Sequence, residues 1–159
     1  MRQHLTTDTV ERYIEATPEL LYDLVADVTR APERTTDIVR CEWIDGATGP
    51  AVGARFVSTN RQGRGPSWRN KPVVTVADRG KEFSFSRTER VGGTLVWRHR
   101  FVAEGTGTRV VESYEVTKAV PLVGWFVIGT VYGMKDRRRD LRASIEASLD
   151  RLAAMAGAT

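Results

Sequence analysis

Residues 94–118 read TLVWRHRFVAEGTGTRVVESYEVTK: two alternating arms joined by Glu104-Gly105-Thr106-Gly107. In the first arm Leu95, Trp97, His99 and Phe101 share one face, and Arg98 and Arg100 the other. In the second, Val110, Glu112, Tyr114 and Val116 oppose Val111, Ser113, Glu115 and Thr117. Alternation at period two around a glycine-bearing turn describes an antiparallel hairpin. Similar runs lie upstream, Ile38 to Asp45, Ala54 to Asn60, Trp68 to Ala77 and Glu82 to Arg90. The turns between them, Asp78-Arg79-Gly80 and Gly92-Gly93 among them, are too short for crossover helices. The strands are therefore sequential and antiparallel.

The flanks complete the architecture. Thr9 to Glu15 alternates as a first strand would. Thr17-Pro18-Glu19 is a helix start, with a hydroxyl cap, a residue of preset φ and an acid near the positive end. Leu20, Leu21, Leu24 and Val25 make that short helix amphipathic, and Ala26 to Thr36 reads as a second short helix or turn containing Pro32. Beyond the last strand, Arg109 to Lys118, the residues Leu141, Ile145, Leu149, Leu152 and Met155 recur at helical spacing up to Gly157. The expected class is α+β: a curved seven-stranded antiparallel sheet around a long C-terminal helix, with two short helices after strand 1. This is a helix-grip arrangement spanning 1–159 as one domain, with residues 1–7 loose. One helix cannot fill a strongly curved sheet, so a cavity between them is expected.

Bulk properties narrow the classes. A chain of 159 residues, 41% hydrophobic and 28% charged, buries a sizeable core. The lone Cys41 excludes an internal disulfide framework and a multi-cysteine metal site, and fits a cytoplasmic location. The N-terminus lacks the apolar core of a signal peptide. The most apolar stretch, 119–134, is shorter than a membrane span and is interrupted by Pro121, Gly124, Gly129 and Gly133. The net charge of +4 permits weak attraction to anions.

Several segments carry a family resemblance. Val10 to Glu19 resembles the first strand and helix entry of the START-like (SRPBCC) superfamily, in particular its bacterial polyketide cyclase/dehydrase-like branch. Gly53-Ala54-Arg55-Phe56 with Asn60, then Trp68, then Gly107 to Tyr114 continue the likeness in order along the chain. The resemblance implies the fold and a hydrophobic cavity but no fixed reaction, because the superfamily includes aromatase/cyclases, lipid carriers and hormone receptors. The chain departs from its relatives at Arg34-Thr35-Thr36-Asp37, where they often carry an aromatic residue and a proline.

Strand parity nominates the cavity residues. With aromatic-bearing faces turned inward, His99 and Glu112 point into the cavity as direct or near-diagonal cross-strand neighbours. They form a candidate acid/base pair, a carboxylate orienting an imidazole. The plainer reading, a buried pair that satisfies itself and shapes the wall, takes precedence. Further candidates for the wall are Phe56, Ser58, Asn60 and Trp68, then Phe83, Phe85 and Arg87, then Trp97, Phe101 and Tyr114. Asn60 and Arg87 are the polar members able to reach a ligand oxygen; their plainer roles are a turn cap and a solvated rim. Met134 and Arg138 extend the inward stripe of the last helix to the cavity mouth, where Arg138 would meet an anionic ligand group.

Two functions follow. The first is binding or carrying a small hydrophobic molecule, lipid or polyketide-like; the alternative is a polyketide cyclase or dehydratase using His99 and Glu112. No cofactor is expected. A metal site is disfavoured, because His99 and Glu112 are too few ligands and His4 lies in the loose terminus. Nucleic acid is not an expected partner, since Arg69, Lys71, Arg98 and Arg100 lack an exposed aromatic platform. The apolar segment 120–132 is open to three readings: a lid, a transient contact with membrane or protein, or core.

Overall fold

The protein was analysed as a computed structural model that describes residues 2–159. Its strands are β1 (Thr7–Ile14), β2 (Ile38–Ile44), β3 (Arg55–Asn60), β4 (Trp68–Asn70), β5 (Val73–Asp78), β6 (Glu82–Glu89), β7 (Gly93–Glu104) and β8 (Gly107–Lys118). The helices are α1 (Pro18–Ala26), α2 (Ala31–Arg34), α3 (Leu122–Thr130) and α4 (Arg137–Gly157), with a single 3₁₀ turn at Val28–Arg30. The sheet order is β1-β8-β7-β6-β5-β3-β2, all pairs antiparallel, with β4 attached to β3. Neighbours in sequence are neighbours in space from β5 to β8, while β3 pairs with β2, β4 and β5, and β1 closes onto β8. The fold is the α+β helix-grip arrangement.

The local signals act as their chemistry requires. Thr17 accepts a hydrogen bond from Leu20 N at 3.2 Å and caps α1, with Pro18 in the first turn. Asp136 caps α4 by accepting from Arg139 N at 3.1 Å. Leu141, Ile145, Leu149 and Leu152 of α4 are at most 3% exposed and face the sheet. Helix α1 closes one end of the concave face, where Tyr22 meets Phe83 and Phe101 edge-on at 6.2 and 5.9 Å.

One strand assignment is corrected, and the N-terminal stretch gains detail. The run Trp68 to Ala77 is two strands, because Pro72 has no N–H for the ladder and the chain breaks at Lys71-Pro72. The sheet therefore has eight strands instead of seven. Part of the N-terminal stretch is also tied down: Gln3 Nε2 donates to Met134 O at 3.2 Å, and Gln3 Oε1 accepts from Arg137 N at 2.6 Å. Leu5 packs on the core, and Thr7 already belongs to β1.

Segment 120–132 forms α3, whose two ends are clamped. A Cβ at Gly124 would sit 1.7 Å from Val91 O, so only glycine allows this approach to the β6–β7 turn. At the other end Arg64 Nη2 donates to Thr130 O at 2.8 Å, and Arg64 N to Tyr132 O at 3.3 Å. The outer face stays apolar, with Leu122 and Phe126 more than 60% exposed.

The packing of α4 predicts unequal costs for similar truncations. Leu152→Ala should lower unfolding free energy by about 2–5 kcal/mol. Leu122→Ala, on exposed surface, should change it by no more than about 0.5 kcal/mol. Denaturant unfolding of both variants checks this, and equal losses would contradict the packing described.

Candidate functional site

Between the concave face and α4 lies a cavity of about 100 Å³. Strands β3, β6, β7 and β8 supply one wall; Leu141, Ile145 and Ser148 of α4 supply the opposite one; Val28, Ala31 and Arg34 close an end. The apolar wall is an aromatic chain. Phe56 and Phe85 meet edge-on at 5.3 Å, and Phe83 lies 6.0 Å from Phe85.

His99 stacks at 6.1 Å on Phe85. The β7–β8 register sets it directly opposite Glu112, and its Nε2 lies 3.2 Å from Glu112 Oε1. Its Nδ1 lies 3.2 Å from the Phe83 carbonyl oxygen. Both side chains are at most 7% exposed. The carbonyl only accepts, and so does an ionised carboxylate, while a neutral imidazole has one N–H. On Nδ1 that N–H satisfies the Phe83 carbonyl, and on Nε2 it satisfies Glu112, so the tautomer decides which partner is served. The pair is a buried imidazole–carboxylate contact on the cavity wall.

A buried cation stands beside it. Arg34 is 9% exposed; its Nη1 donates to Ser148 Oγ at 3.5 Å and its Nε has no partner. Burial pushes its guanidinium below the ordinary arginine range, and the Glu112 carboxylate opposes that shift. Burial also pushes the Cys41 thiol up to about 12, against the pull of the Arg34 charge and a Ser58 hydrogen bond. Cys41 is thus a neutral thiol at neutral pH, inert as a nucleophile.

Beneath α3 is a second cavity, of about 220 Å³, floored by Leu95 and roofed by Val120, Val127, Ile128 and Tyr132. Trp68, Arg87 and Arg137 line both cavities and so partition them.

The nominated residues distribute as follows. Phe56, Asn60, Trp68, Phe83 and Phe85 line the first cavity, as do Arg87, Trp97, His99 and Glu112. Asn60 turns back on its own strand, donating to Ser58 O at 3.1 Å, instead of capping the next turn. Arg87 is not at a solvated rim: its side chain is 13% exposed, 3.2 Å from Glu89 and 5.7 Å from the Trp97 ring centroid. Met134 borders the second cavity. Ser58, Phe101 and Tyr114 are buried away from the cavity, Phe101 under Tyr22 and Tyr114 against Trp97. Arg138 is exposed, and Arg137 takes the inward place. The helix starts at Arg137, so the stripe runs back four residues from Leu141; Met134 precedes the helix and misleads as a reference.

Sequence reasoning missed Arg34, Asp37, Cys41, Gln62, Arg137, Ser144 and Ser148. Only the serines had a legible signal, lying three and seven residues beyond Leu141 on the inward face. No group of three or more histidine, cysteine, aspartate or glutamate side chains placed to hold a metal occurs among the described residues. No described helix is long and apolar enough to cross a membrane.

Comparison with known proteins agrees with this geometry. A family model described as polyketide cyclase / dehydrase and lipid transport matches residues 6–157. No curated protein matches the chain in sequence. Among solved structures, the di-domain ARO/CYC StfQ from the steffimycin biosynthetic pathway superposes with a TM-score of 0.77 at 13% identity, over 96% of this chain and 50% of StfQ. The chain thus spans half the length of that protein. Protein CV1439 from Chromobacterium violaceum gives 0.71 at 13% identity, over 96% and 98% of the two chains. Ginseng major latex-like protein 151 from Panax ginseng gives 0.67 at 16%, over 94% and 96%. At these identities the likeness is one of fold.

The raised Cys41 pKa has a direct readout. At pH 8 only about one thiol in 10⁴ is ionised when the pKa is near 12. Ellman's reagent should therefore label Cys41 orders of magnitude faster in denaturant than in native protein. Native labelling at the rate of a free thiol would contradict the burial described.

Proposed function

The chain belongs to the polyketide cyclase/dehydrase and lipid-transport family, and on that premise we propose that it binds or carries a small hydrophobic molecule, lipid or polyketide-like, between its sheet and α4. The observation that carries this reading is an aromatic cavity whose polar groups are mostly engaged with one another. Such an interior favours an apolar guest and offers few groups for chemistry. The cavity is smaller than the 300–1,000 Å³ typical of ligand pockets, so a guest of lipid size requires it to widen. The thin partition toward the second cavity and the clamped but outward-apolar α3 supply the means. In this reading α3 is the lid, and segment 120–132 makes the transient contact with a membrane or protein that delivers the ligand. We place the protein in the cytoplasm, where the lone Cys41 stays reduced.

The second reading, a cyclase or dehydratase, is favoured by the contact of His99 Nε2 with Glu112 Oε1 at 3.2 Å. Such a pair removes an α-proton of a polyketone as that carbon bonds to a second carbonyl, then protonates the new alkoxide. Loss of that hydroxyl with a further α-proton releases water. StfQ, whose name carries the ARO/CYC activity, has the same fold and supports this reading only by analogy.

Two measurements decide between them. The neutral fluorophore N-phenyl-1-naphthylamine should bind the native protein and be displaced by apolar ligands, and Ala31→Leu, which fills the cavity, should weaken it tenfold or more. Binding unaffected by Ala31→Leu would move the guest elsewhere. Given a polyketone substrate, His99→Ala and Glu112→Gln should each abolish turnover if the pair is catalytic. Unchanged turnover in both folded variants would remove it from the mechanism.

A further inference from the structure

The partition between the two cavities holds more hydrogen-bond donors than the protein itself satisfies, and one of its two guanidinium groups has no carboxylate in contact. Arg87 on β6 and Arg137 at the start of α4 both face it. Glu89 is the one carboxylate in salt-bridge contact with either, 3.2 Å from Arg87, and it also accepts from Asn70 Nδ2 at 3.2 Å. Arg137 is only 7% exposed, yet its guanidinium donates to neutral acceptors alone, Gln62 Oε1 and, at 3.4 Å, Met134 Sδ. Arg137 therefore contacts no carboxylate, and Glu89, Asp37 and Asp140 act on it only through space, a costly arrangement for a buried guanidinium.

The unpartnered atoms point the same way. Arg87 Nε, Trp68 Nε1 and Trp97 Nε1 are all buried without a hydrogen-bond partner. Trp68 lines both cavities, and Trp97 lies beneath the Arg87 guanidinium. Each of these atoms is a donor and none can accept. Arg137 also sits on the positive end of a 21-residue helix. Burial, then the neighbouring Arg87, depress its pKa to about 10, and Glu89, Asp37 and Asp140 offset this only in part. A negatively charged group made only of acceptor oxygens would give the guanidinium a contacting partner and satisfy the unpaired donors together.

We propose that Arg87 and Arg137, with the indole N–H groups of Trp68 and Trp97, form an anion subsite for the carboxylate of an amphipathic acid whose apolar chain lies in the flanking cavities. Carboxylate is chosen over phosphate because a planar two-oxygen group lies in the plane of a guanidinium fork and carries the single charge that one unpartnered guanidinium needs. The inference rests on the reading that the cavities hold a hydrophobic ligand and adds what its polar end must be. It also gives Arg137 a role at a position where the helix stripe would otherwise call for an apolar residue.

The test is calorimetric titration of the full chain with sodium decanoate, 1-decanol and decyl phosphate. The proposal expects decanoate to bind at least tenfold tighter than decanol, and Arg137→Met to abolish that preference. In the absence of ligand Arg137→Met should melt at or above the wild-type temperature, because it removes a buried charge that no carboxylate contacts. Equal affinity for decanoate and decanol in the wild type overturns the anion subsite and leaves the hydrophobic reading intact. Tighter binding of decyl phosphate than of decanoate overturns the choice of carboxylate. Binding of none of the three overturns the cavity reading on which the proposal stands. The wild-type comparison alone decides the matter if Arg137→Met fails to fold.

Discussion

One straight helix against a curved sheet is the constraint on which the molecule depends. Leu141, Ile145, Leu149 and Leu152 anchor α4 to the concave face, but a rod cannot follow that curvature along its whole length. Where the surfaces diverge, the walls lose packing partners and a cavity opens. The aromatic residues Phe56, Phe83 and Phe85 keep that space apolar, and α1 with Tyr22 seals one end of it. The cavity is a consequence of how the fold closes.

The polar groups inside fall into two sets with different logic. His99, Glu112 and Arg34 have partners or compensating charge within the wall, and their arrangement is close to self-sufficient. Arg87 and Arg137 do not balance: their donors exceed the acceptors within reach. A fold selected for stability alone would replace such residues with apolar ones of similar volume. The imbalance therefore marks the partition, and not the His99–Glu112 pair, as the place where an outside molecule completes the structure.

How much of this was legible in the sequence follows from how local each signal is. Period-two alternation in residues 94–118 placed His99 opposite Glu112, because hairpin register is set within the hairpin itself. The order of strands followed from turn lengths. Pro72 was visible, yet the alternation on both sides masked the break it makes. Arg137 and Arg138 differ by one residue, or about 100° of helix, and only the Asp136 cap decides which points inward. Arg34 and Gln62 reach the cavity from a one-turn helix and a loop, where no periodicity reports direction. Tyr114 and Phe101 share the inward face of their strands, but depth along a strand places them in the core beyond the cavity.

The central claim is that the space between sheet and α4 is a ligand site and not a packing defect. Native mass spectrometry of the protein purified from its own source addresses this directly, because a guest held in a cavity survives gentle desolvation. The account predicts one apolar molecule per chain, released on unfolding and recovered unchanged. Protein that carries only its own mass, and that takes up no apolar guest when one is supplied, would contradict it.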